Sequence, residues 1–307
     1  MALDQAITLP AGIHVFERGW LSSNNILLID DDSAALVDSG YLTHAEQTLA
    51  LVQHGLNGRS LTTLINTHLH SDHCGGNALL QRTYDCRTLI PVADAPAVAV
   101  WDEQVLTYKA TGQQCERFRY DGCIAPGDQL KLAGLQWQVM AAPGHDPHSM
   151  ILYCASEAIL ISADALWEHG FGVIFPELIG ESGFAEQAAV LQLIAELDVR
   201  LVIPGHGAPF TNVAAALDRA RSRLDYLSAD SSRNARNALK VLIAFLLLDS
   251  QQFSLQEVTE HIRSSRLMTA AAAQLATPID LLIRQLAGEL VSAGAARMDG
   301  ERLISTR

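Results

Sequence analysis

The segment from Thr67 to His73, with the sequence Thr-His-Leu-His-Ser-Asp-His, constrains this chain more than any other feature. It places three imidazoles and one carboxylate within six residues, directly after an apolar, strand-like run. Residues two apart in an extended segment point to the same side, so His68 and His70 can share one metal ion. After a turn, Asp72 and His73 can reach a second ion. The segment therefore predicts a metal site at the end of a strand.

A single histidine near a strand end is usually a solvated or hydrogen-bonded loop residue, but that interpretation must here explain three at once. Imidazoles packed together beside a carboxylate lose hydration and repel one another unless a cation organises them. Neutral imidazole and carboxylate are good ligands for Zn²⁺ and also for Fe or Mn. The spacing alone does not choose among these ions.

The length and composition predict one large domain plus a small one, because the chain has 307 residues of which 49% are hydrophobic. Its five cysteines are odd in number and contain no CxxC pair, which disfavours a disulfide framework and a cysteine-rich zinc site. Residues 1–10 carry no basic segment ahead of an apolar stretch, and the most apolar run, 241–248, is too short to cross a bilayer. We therefore expect a cytoplasmic protein with no membrane partner.

The net charge of −13 is spread unevenly along the chain. Residues 1–215 carry 9 Lys/Arg against 24 Asp/Glu, whereas residues 216–307 carry 12 against 10. The acidic first part helps to hold cations and has no general attraction for phosphate backbones. Nucleic acid is therefore not the expected partner.

The first 215 residues alternate between strand and helix patterns. A turn at Asp30-Asp31-Asp32-Ser33 separates two apolar runs, and Thr43 with Glu46 predicts a helix start whose stop is Gly55. That helix leads into the strand that precedes the histidines. Strands followed by helices in two successive halves predict an α/β (α+β) fold, a four-layer αββα sandwich. The predicted strands are 12–19, 24–30, 34–38, 61–66, 87–91, 130–132, 135–141, 150–154 and 158–162.

The residue pattern changes near Ala214, so we predict a catalytic domain at 1–215 and a mainly helical, winged-helix-like domain at 216–307. Ser254 and Glu257 form a capping-box pattern, and Asp299-Gly300 lies at the turn of a small hairpin. Helices followed by a two-stranded wing are typical of a winged-helix module. Because this part has no basic recognition helix, packing or homodimer formation is the expected role.

Three further metal-ligand candidates each follow an apolar run. They are His145 in Pro-Gly-His-Asp, Asp164 after Leu-Ile-Ser-Ala, and His206 in Pro-Gly-His-Gly. Loops at the strand ends of one sheet edge can converge on one point. A centre for two ions needs such additional ligands.

The ordered set HxHxDH, PGH, a strand-end Asp and PGHG resembles the metallo-β-lactamase superfamily of metal-dependent hydrolases. The resemblance covers residues 12–213. It implies one ion on His68, His70 and His145, a second on Asp72, His73 and His206, and Asp164 bridging both.

The resemblance also implies roles for residues around the ligands. Asp38, in Val-Asp-Ser-Gly, is similar to the family's buried Asp that orients a ligand imidazole; the alternative is a turn Asp that caps its own loop. The family places the ligand at His145, so His148 is expected to support the site or the local structure. Glu168 and His169 follow the bridging Asp and either line the substrate pocket or lie in a surface loop.

Two divalent ions that share a water would stabilise hydroxide near neutral pH, since one bound metal can lower the pKa of water from 15.7 to about 7. Asp72 is also expected to orient this hydroxide. The chain is similar to the glyoxalase II and thioesterase-like branch, which implies hydrolysis of a small acyl substrate: a thioester, ester or lactone. The expected cofactor is two Zn²⁺, with Fe or Mn as alternatives.

Two other activities stay open. The C-terminal module is similar to that of the lactamase-β-like endoribonucleases, which implies a phosphodiester hydrolase. The persulfide dioxygenases of the same superfamily imply an iron-dependent oxidoreductase. A regulatory metal-binding protein whose tail binds nucleic acid is a rival of a different class, which a salt-titrated binding assay separates.

Overall fold

Two β-sheets packed face to face form the centre of the protein in a computed structural model that describes residues 7–306. Residues 1–6 and 307 lie outside the described part, so the prediction that no secretory signal occupies residues 1–10 falls mostly there. The first sheet has the order β1-β2-β3-β4-β5-β6. Its strands are β1 (Ile13–Phe16), β2 (Asn25–Ile29), β3 (Ser33–Val37), β4 (Ser60–Ile65), β5 (Arg87–Pro91) and β6 (Gly122–Ile124).

The first sheet is mixed: β1, β2 and β3 pair antiparallel, and β3 to β6 pair parallel. The second sheet has the order β11-β10-β9-β8-β7, antiparallel except for the parallel pair β10 and β11. Its strands are β7 (Gln129–Leu132), β8 (Leu135–Ala141), β9 (Met150–Cys154), β10 (Ile159–Ala163) and β11 (Leu201–Pro204).

Helices cover the outer faces of both sheets. Strand β2 shows why: Ile26 and Leu28 pack against the second sheet, while Leu27 between them packs outward against helices. A strand buried on both faces carries a continuous apolar run. The helices of this part are α1 (Ala45–Leu56), α2 (Ser71–Cys74), α3 (Asn77–Tyr84), α4 (Ala95–Val100), α5 (Tyr108–Thr111), α6 (Phe184–Glu196) and α7 (Val213–Ser228).

Helices α1 and α3 pack on the first sheet, and α6 and α7 pack on the second. The apolar residues between the two sheets form a separate core that includes the fully buried Trp137. The predicted four-layer αββα sandwich is therefore confirmed.

Both predicted ends of the helix before β4 were wrong. The helix α1 starts at Ala45 after a single 3₁₀ turn, so Thr43 is not its N-cap. It ends at Leu56 and is capped by Asn57, which adopts a left-handed conformation with φ 46°. Gly55 lies inside the helix against the side chains of Phe16 and Leu27, where a Cβ would approach atoms at 2.8 and 2.7 Å. This glycine therefore permits close packing and does not end the helix.

The C-terminal region is helical with a small three-stranded sheet of order β12-β14-β13. The predicted capping box of Ser254 and Glu257 is present, and so is the predicted hairpin around Asp299-Gly300. The elements are α8 (Ser231–Ser250), β12 (Gln252–Ser254), α9 (Leu255–Ser264), α10 (Arg266–Gln274), α11 (Ile279–Ser292), β13 (Ala296–Asp299) and β14 (Arg302–Ser305).

The C-terminal region packs directly on the sandwich. Its apolar core includes Val173 and Leu178 from the loop after β10. The hydroxyl of Tyr41, in the loop after β3, lies 3.2 Å from a carboxylate oxygen of Asp249 on α8, and the Tyr41 ring packs edge-on against Phe245. These contacts bring α8 over the strand ends that carry the candidate ligands.

The division into 1–215 and 216–307 stays a prediction, but α7 bears on where it falls. This helix contains the predicted boundary, yet Ala216, Ala220 and Leu224 pack in one cluster with Leu160 and Val202 of the second sheet. Helix α7 thus belongs to an outer layer of the sandwich. Among residues 7–306, no helix combines the length and the apolarity that crossing a bilayer requires.

Candidate metal centre

All the predicted ligands lie in loops at one edge of the sandwich. The histidine segment follows β4, His145 follows β8, Asp164 follows β10 and His206 follows β11. Strands β8, β10 and β11 run in the same direction, because β9 is antiparallel to both β8 and β10 while β10 and β11 are parallel. Their carboxyl ends therefore meet at one edge of the second sheet, and the histidine segment joins them there from the first sheet, so the ligands come from two sheets and not from one as predicted.

The fold brings the seven residues together. Potential ligand atoms lie within 4.8 Å of one another in three overlapping sets. The sets are His68, His70 and His145; His68, His73 and Asp164; and Asp72, His73 and His206.

Asp164 lies between the two halves of this cluster. One of its carboxylate oxygens, Oδ1, is 3.4 Å from Nε2 of His73 and 3.9 Å from Nε2 of His206. The other, Oδ2, is 3.3 Å from Nε2 of His145. Its two oxygens thus face different halves of the cluster, which is the position that a bridging ligand needs.

Hydrogen bonds orient two imidazoles from behind. Nδ1 of His73 donates to the Asp38 carboxylate at 2.8 Å, and Nδ1 of His145 donates to the carbonyl oxygen of Val173 at 2.5 Å. Each bond commits Nδ1 as the donor and so makes Nε2, the nitrogen that faces the cluster, the one available to a metal ion. This is how proteins hold metal-binding histidines in one tautomer.

His68 is held in the same way. The Thr67 hydroxyl donates to Asp38 at 2.8 Å and lies 3.1 Å from Nδ1 of His68, so it accepts a hydrogen bond from that nitrogen. Nε2 of His68 and Nε2 of His73 are buried and have no hydrogen-bond partner in the described structure. Leaving a buried polar atom unpaired costs about 1–3 kcal/mol. The residues present therefore fit a bound cation.

Asp38 connects the end of β3 with the histidine segment. It is 1% exposed and has φ 58°. Its carboxylate accepts the backbone N–H of Thr67 at 2.9 Å in addition to the Thr67 hydroxyl and His73. All three bonds reach across to the other loop, not to the loop of Asp38 itself.

The electrostatics of the cluster favour neutral imidazoles beside ionised carboxylates. Burial, together with neighbouring histidines, lowers the pKa of His68 well below its usual range and that of His145 to about 4. Burial raises the pKa of Asp164, but the adjacent His73 and His206 outweigh this and hold the pKa well below its ordinary value. Such a donor set is ready to bind a cation.

His73 is the exception among the imidazoles. Burial lowers its pKa, but the carboxylates of Asp164 and Asp38 outweigh burial and raise the pKa well above its ordinary value. A cation at Nε2 would take the place of that proton, so metal binding should release protons here.

A glycine before His206 allows the loops to approach. A Cβ on Gly205 would collide with Oδ1 of Asp164. Any larger residue would displace this carboxylate, so the Pro-Gly-His sequence after β11 serves the position of Asp164 as well as that of His206.

Comparison with known proteins identifies the family. The sequence profile described as "Metallo-beta-lactamase superfamily" matches residues 18–206, more than half of the chain. This chain belongs to the metallo-β-lactamase superfamily. The resemblance seen in the sequence motifs is thereby confirmed.

Curated relatives of this superfamily member include hydroxyacylglutathione hydrolases. The one from Xylella fastidiosa (strain M12) is 30% identical over 194 residues, which cover 62% of this chain and 62% of the relative. The one from Idiomarina loihiensis is 28% identical over 146 residues, 48% of this chain and 47% of the relative. The match thus spans between about half and three fifths of these relatives' length.

Solved structures of the superfamily share the fold. The metallo-β-lactamase family protein TTHA1429 from Thermus thermophilus superimposes with a TM-score of 0.56 at 22% identity and covers 97% of this chain and 99% of its own. The BLEG-1 B3 metallo-β-lactamase has a TM-score of 0.56 at 22% identity, over 67% and 96% of the two chains. TTHA1623, solved in a di-iron-bound form, has a TM-score of 0.54 at 24% identity, over 67% and 98%.

A cavity of about 380 Å³ adjoins the cluster in this superfamily member. Five of the candidate ligands line one part of it, and helix α8 forms another part of the wall. The ligands are His70, Asp72, His145, Asp164 and His206, and the α8 residues are Asn237, Val241, Leu242 and Phe245. The C-terminal region thus shapes the site directly.

The two predicted pocket residues lie at the margin of this cavity. His169 lines it with a side chain that is 79% exposed, whereas Glu168 lines an adjoining groove and is 46% exposed. The cavity is also lined by Thr111 at the end of α5 and by Gln113 in the loop that follows.

His148 is absent from the three ligand sets among the described residues. Its Nδ1 lies 2.7 Å from the carboxylate of Asp94, and its backbone N–H donates to Asp146 at 2.8 Å. The other oxygen of Asp146 is 3.5 Å from Nε2 of His70. Asp146 therefore links His148 to the cluster.

Sequence reasoning did not single out four residues that contact the cluster. Thr67 and Asp146 flank predicted ligands, and their position next to the motifs was the available signal. Trp20 stacks on His206 with ring centroids 5.5 Å apart, and the ring of Phe175 lies 5.4 Å from that of His145. These two aromatic residues are far from the motifs in sequence and had no recognisable spacing.

Proposed function

We propose that this protein is a binuclear metal-dependent hydrolase that cleaves a small acyl substrate, in the first place a thioester, with esters and lactones as alternatives. The observation that carries the proposal is the pair of donor sets joined by Asp164 at the wall of one cavity. The hydroxyacylglutathione hydrolases among its relatives favour a thioester.

We assign each histidine to the ion that its cluster-facing nitrogen would contact. One ion would be held by His68, His70 and His145, the other by Asp72, His73 and His206, and both by Asp164. Imidazole and carboxylate donors make Zn²⁺ the expected ion, with Fe or Mn as alternatives. Two bound divalent ions supply an activated water as nucleophile and a Lewis acid for the substrate carbonyl.

The chain's own residues position the reactants. Asp72 has its Oδ2 3.2 Å from Nε2 of His206, and burial, which raises its pKa, is outweighed by His206 and His73, so that its carboxylate stays ionised. We assign Asp72 the orientation of the attacking water, in addition to metal binding. Leu242 and Phe245 of α8 form an apolar wall that limits the access of bulk water to the acyl group.

The size and charge of the site favour a small molecule over nucleic acid. The cavity of about 380 Å³ is closed on one side by α8, and the chain has a net charge of −13. A phosphodiester polymer would need an open basic path to the metals. The seven-donor cluster also favours a hydrolase over an oxidoreductase that uses one iron.

The cysteines bear on the compartment of the protein. All five cysteines are free thiols, which agrees with the cytoplasm as the proposed compartment. The homodimer stays a prediction.

Metal analysis combined with a substrate panel tests the proposal. The purified protein should contain two divalent ions per chain and hydrolyse a thioester faster than a phosphodiester. Dialysis against a chelator should remove activity, and two equivalents of Zn²⁺ should restore it. Full hydrolysis by the metal-free protein would contradict the proposal, and oxygen consumption with a single bound iron would replace it by the oxidoreductase.

Phe175 is expected to limit the size of the acyl group. It separates the site cavity from a second cavity of about 340 Å³, because both are lined by His70, His145 and Phe175. Phe175→Ala should join them and lower KM for a decanoyl thioester about tenfold relative to an acetyl thioester, which corresponds to burying about two further methylenes at about 0.8 kcal/mol each.

Phe184→Ala provides the control for this prediction. It removes the same side chain from a partly buried position on α6, outside both cavities. Steady-state kinetics with a series of acyl lengths would show the change. An unaltered chain-length profile in Phe175→Ala would mean that this ring does not divide the substrate space.

A further inference from the structure

Arg223 places a guanidinium group in the wall of the cavity that the candidate ligands line. It lies on α7, and its Nε is buried with no hydrogen-bond partner. Within residues 7–306 no carboxylate lies at ion-pair distance from it. Arg223 as a whole is half-buried, and partial burial of a cation without a counter-charge is unfavourable unless an anion joins it.

Asn237 on α8 completes the feature. Its Oδ1 accepts a hydrogen bond from Nη2 of Arg223 at 3.4 Å, and its own Nδ2 is buried without a partner. The two side chains thus hold each other in place while each keeps an unused donor. A guanidinium group beside a carboxamide in one cavity wall suits an oxyanion, which accepts several hydrogen bonds.

The same pair also lines a third cavity, of about 390 Å³, on the outer side. That cavity is lined by three further cations, Arg233, Arg236 and Lys240. Arg236 and Lys240 both pair with Glu289, and Arg233 lies 3.9 Å from Asp230, so two carboxylates neutralise part of the charge of these three cations and Arg223. The surroundings of the pair are therefore cationic on a chain that is acidic overall.

Packing explains only part of the position of Arg223. Its Cζ lies 5.7 Å from the centroid of the Phe171 ring, and its Cδ fills the space beside Gly170, where a Cβ would approach to 2.9 Å. These contacts account for the aliphatic stem. They leave the buried Nε without a role.

We propose that Arg223 and Asn237 bind an oxyanion of the substrate, a carboxylate or a phosphate, in the cavity that also holds the metal ligands. The term substrate rests on the proposed function; the anion site itself does not. The protein would then act on acyl compounds that carry a negative charge, and the outer cationic cavity would accommodate a larger anionic group.

Matched substrates test the proposal kinetically. The acetyl thioester of 3-mercaptopropionate carries a carboxylate, and its methyl ester is the neutral counterpart. The native chain should prefer the anionic thioester about 10- to 30-fold in kcat/KM, mainly through KM, as expected for hydrogen bonds to a charged group. Arg223→Met should bring this ratio close to one, and Arg223→Lys should leave an intermediate ratio because lysine lacks the planar fork.

Arg221→Met is the matched control. Arg221 lies two residues away on the same helix, is absent from the walls of both cavities and loses the same charge. It should keep the ratio of the native chain. The anion site would be contradicted by a ratio near one in the native chain, or by the same ratio in Arg223→Met and the native chain. In either case, hydrolysis of the neutral thioester would still support the proposed function.

Binding measured without turnover separates the two proposals. Butane-1-sulfonate, a weak metal ligand, should raise the Tm of the native chain and of Arg221→Met but not of Arg223→Met. Butyrate and butyl phosphate as competitors show which oxyanion binds more tightly. If neither thioester were hydrolysed, the proposed function would fail, yet a Tm shift that depends on Arg223 would still support the anion site. No Tm shift in the native chain would contradict it.

Discussion

Replacing Asp164 with alanine is expected to lower kcat for a thioester about 1000-fold, which corresponds to about 4 kcal/mol of transition-state stabilisation. The physical reason is its position, because its two oxygens face His73 and His145 in different halves of the cluster. Its loss would remove a shared negative charge and leave buried imidazoles facing one another. Metal content and single-turnover rates measure the effect.

Asp218→Ala is the control for this substitution, since Asp218 is exposed on α7 and lies outside the cluster. It should keep the metal content and the rate of the native chain. The decisive contrary result would be an Asp164→Ala protein that is folded by circular dichroism and retains both full metal content and full hydrolysis. The same outcome in His73→Ala would remove the binuclear site from consideration.

Replacing Asp38 with asparagine is expected to weaken metal binding about 10- to 100-fold and to lower the free energy of unfolding by about 1–3 kcal/mol. The asparagine keeps the shape and tolerates the positive φ, but its amide cannot accept from Thr67 N–H, the Thr67 hydroxyl and His73 together. His73 would then lose the partner that orients its ring. Chelator competition and urea unfolding measure the two effects separately.

Asp85→Asn is a matched control, because Asp85 also has a positive φ, 49°, but its side chain is 93% exposed. It should leave both quantities near those of the native chain. If Asp38→Asn bound metal with native affinity, the carboxylate would join the two loops without any part in orienting His73 for a metal ion.

Local sequence signals predicted the elements that depend on local contacts. The capping box at Ser254 and Glu257 and the turn at Asp299-Gly300 each satisfy backbone groups within a few residues, so neighbouring residues suffice to specify them. No local sequence signal predicted helices α6 and α10. Helix α10 is short and alanine-rich, and it is stabilised by burying Leu267 and Met268 in the C-terminal core.

Gly55 illustrates how tertiary contacts override a local signal. A glycine near the end of a helical pattern usually marks a helix stop. In this chain the helix continues to Leu56, because Gly55 is needed where Phe16 and Leu27 approach the backbone. Local pattern cannot distinguish these two uses of glycine.

The candidate ligands could be found in the sequence because each follows an apolar strand, and strands that run in one direction end at one sheet edge. The donor chemistry of His68 to His73 and the position of Asp164 then sufficed to predict a cation site. The pair of Arg223 and Asn237 could not be found in this way. It is formed by the packing of α7 against α8, which joins residues 14 apart at no recurrent spacing, and only the folded chain shows that both side chains line the same cavity as the ligands.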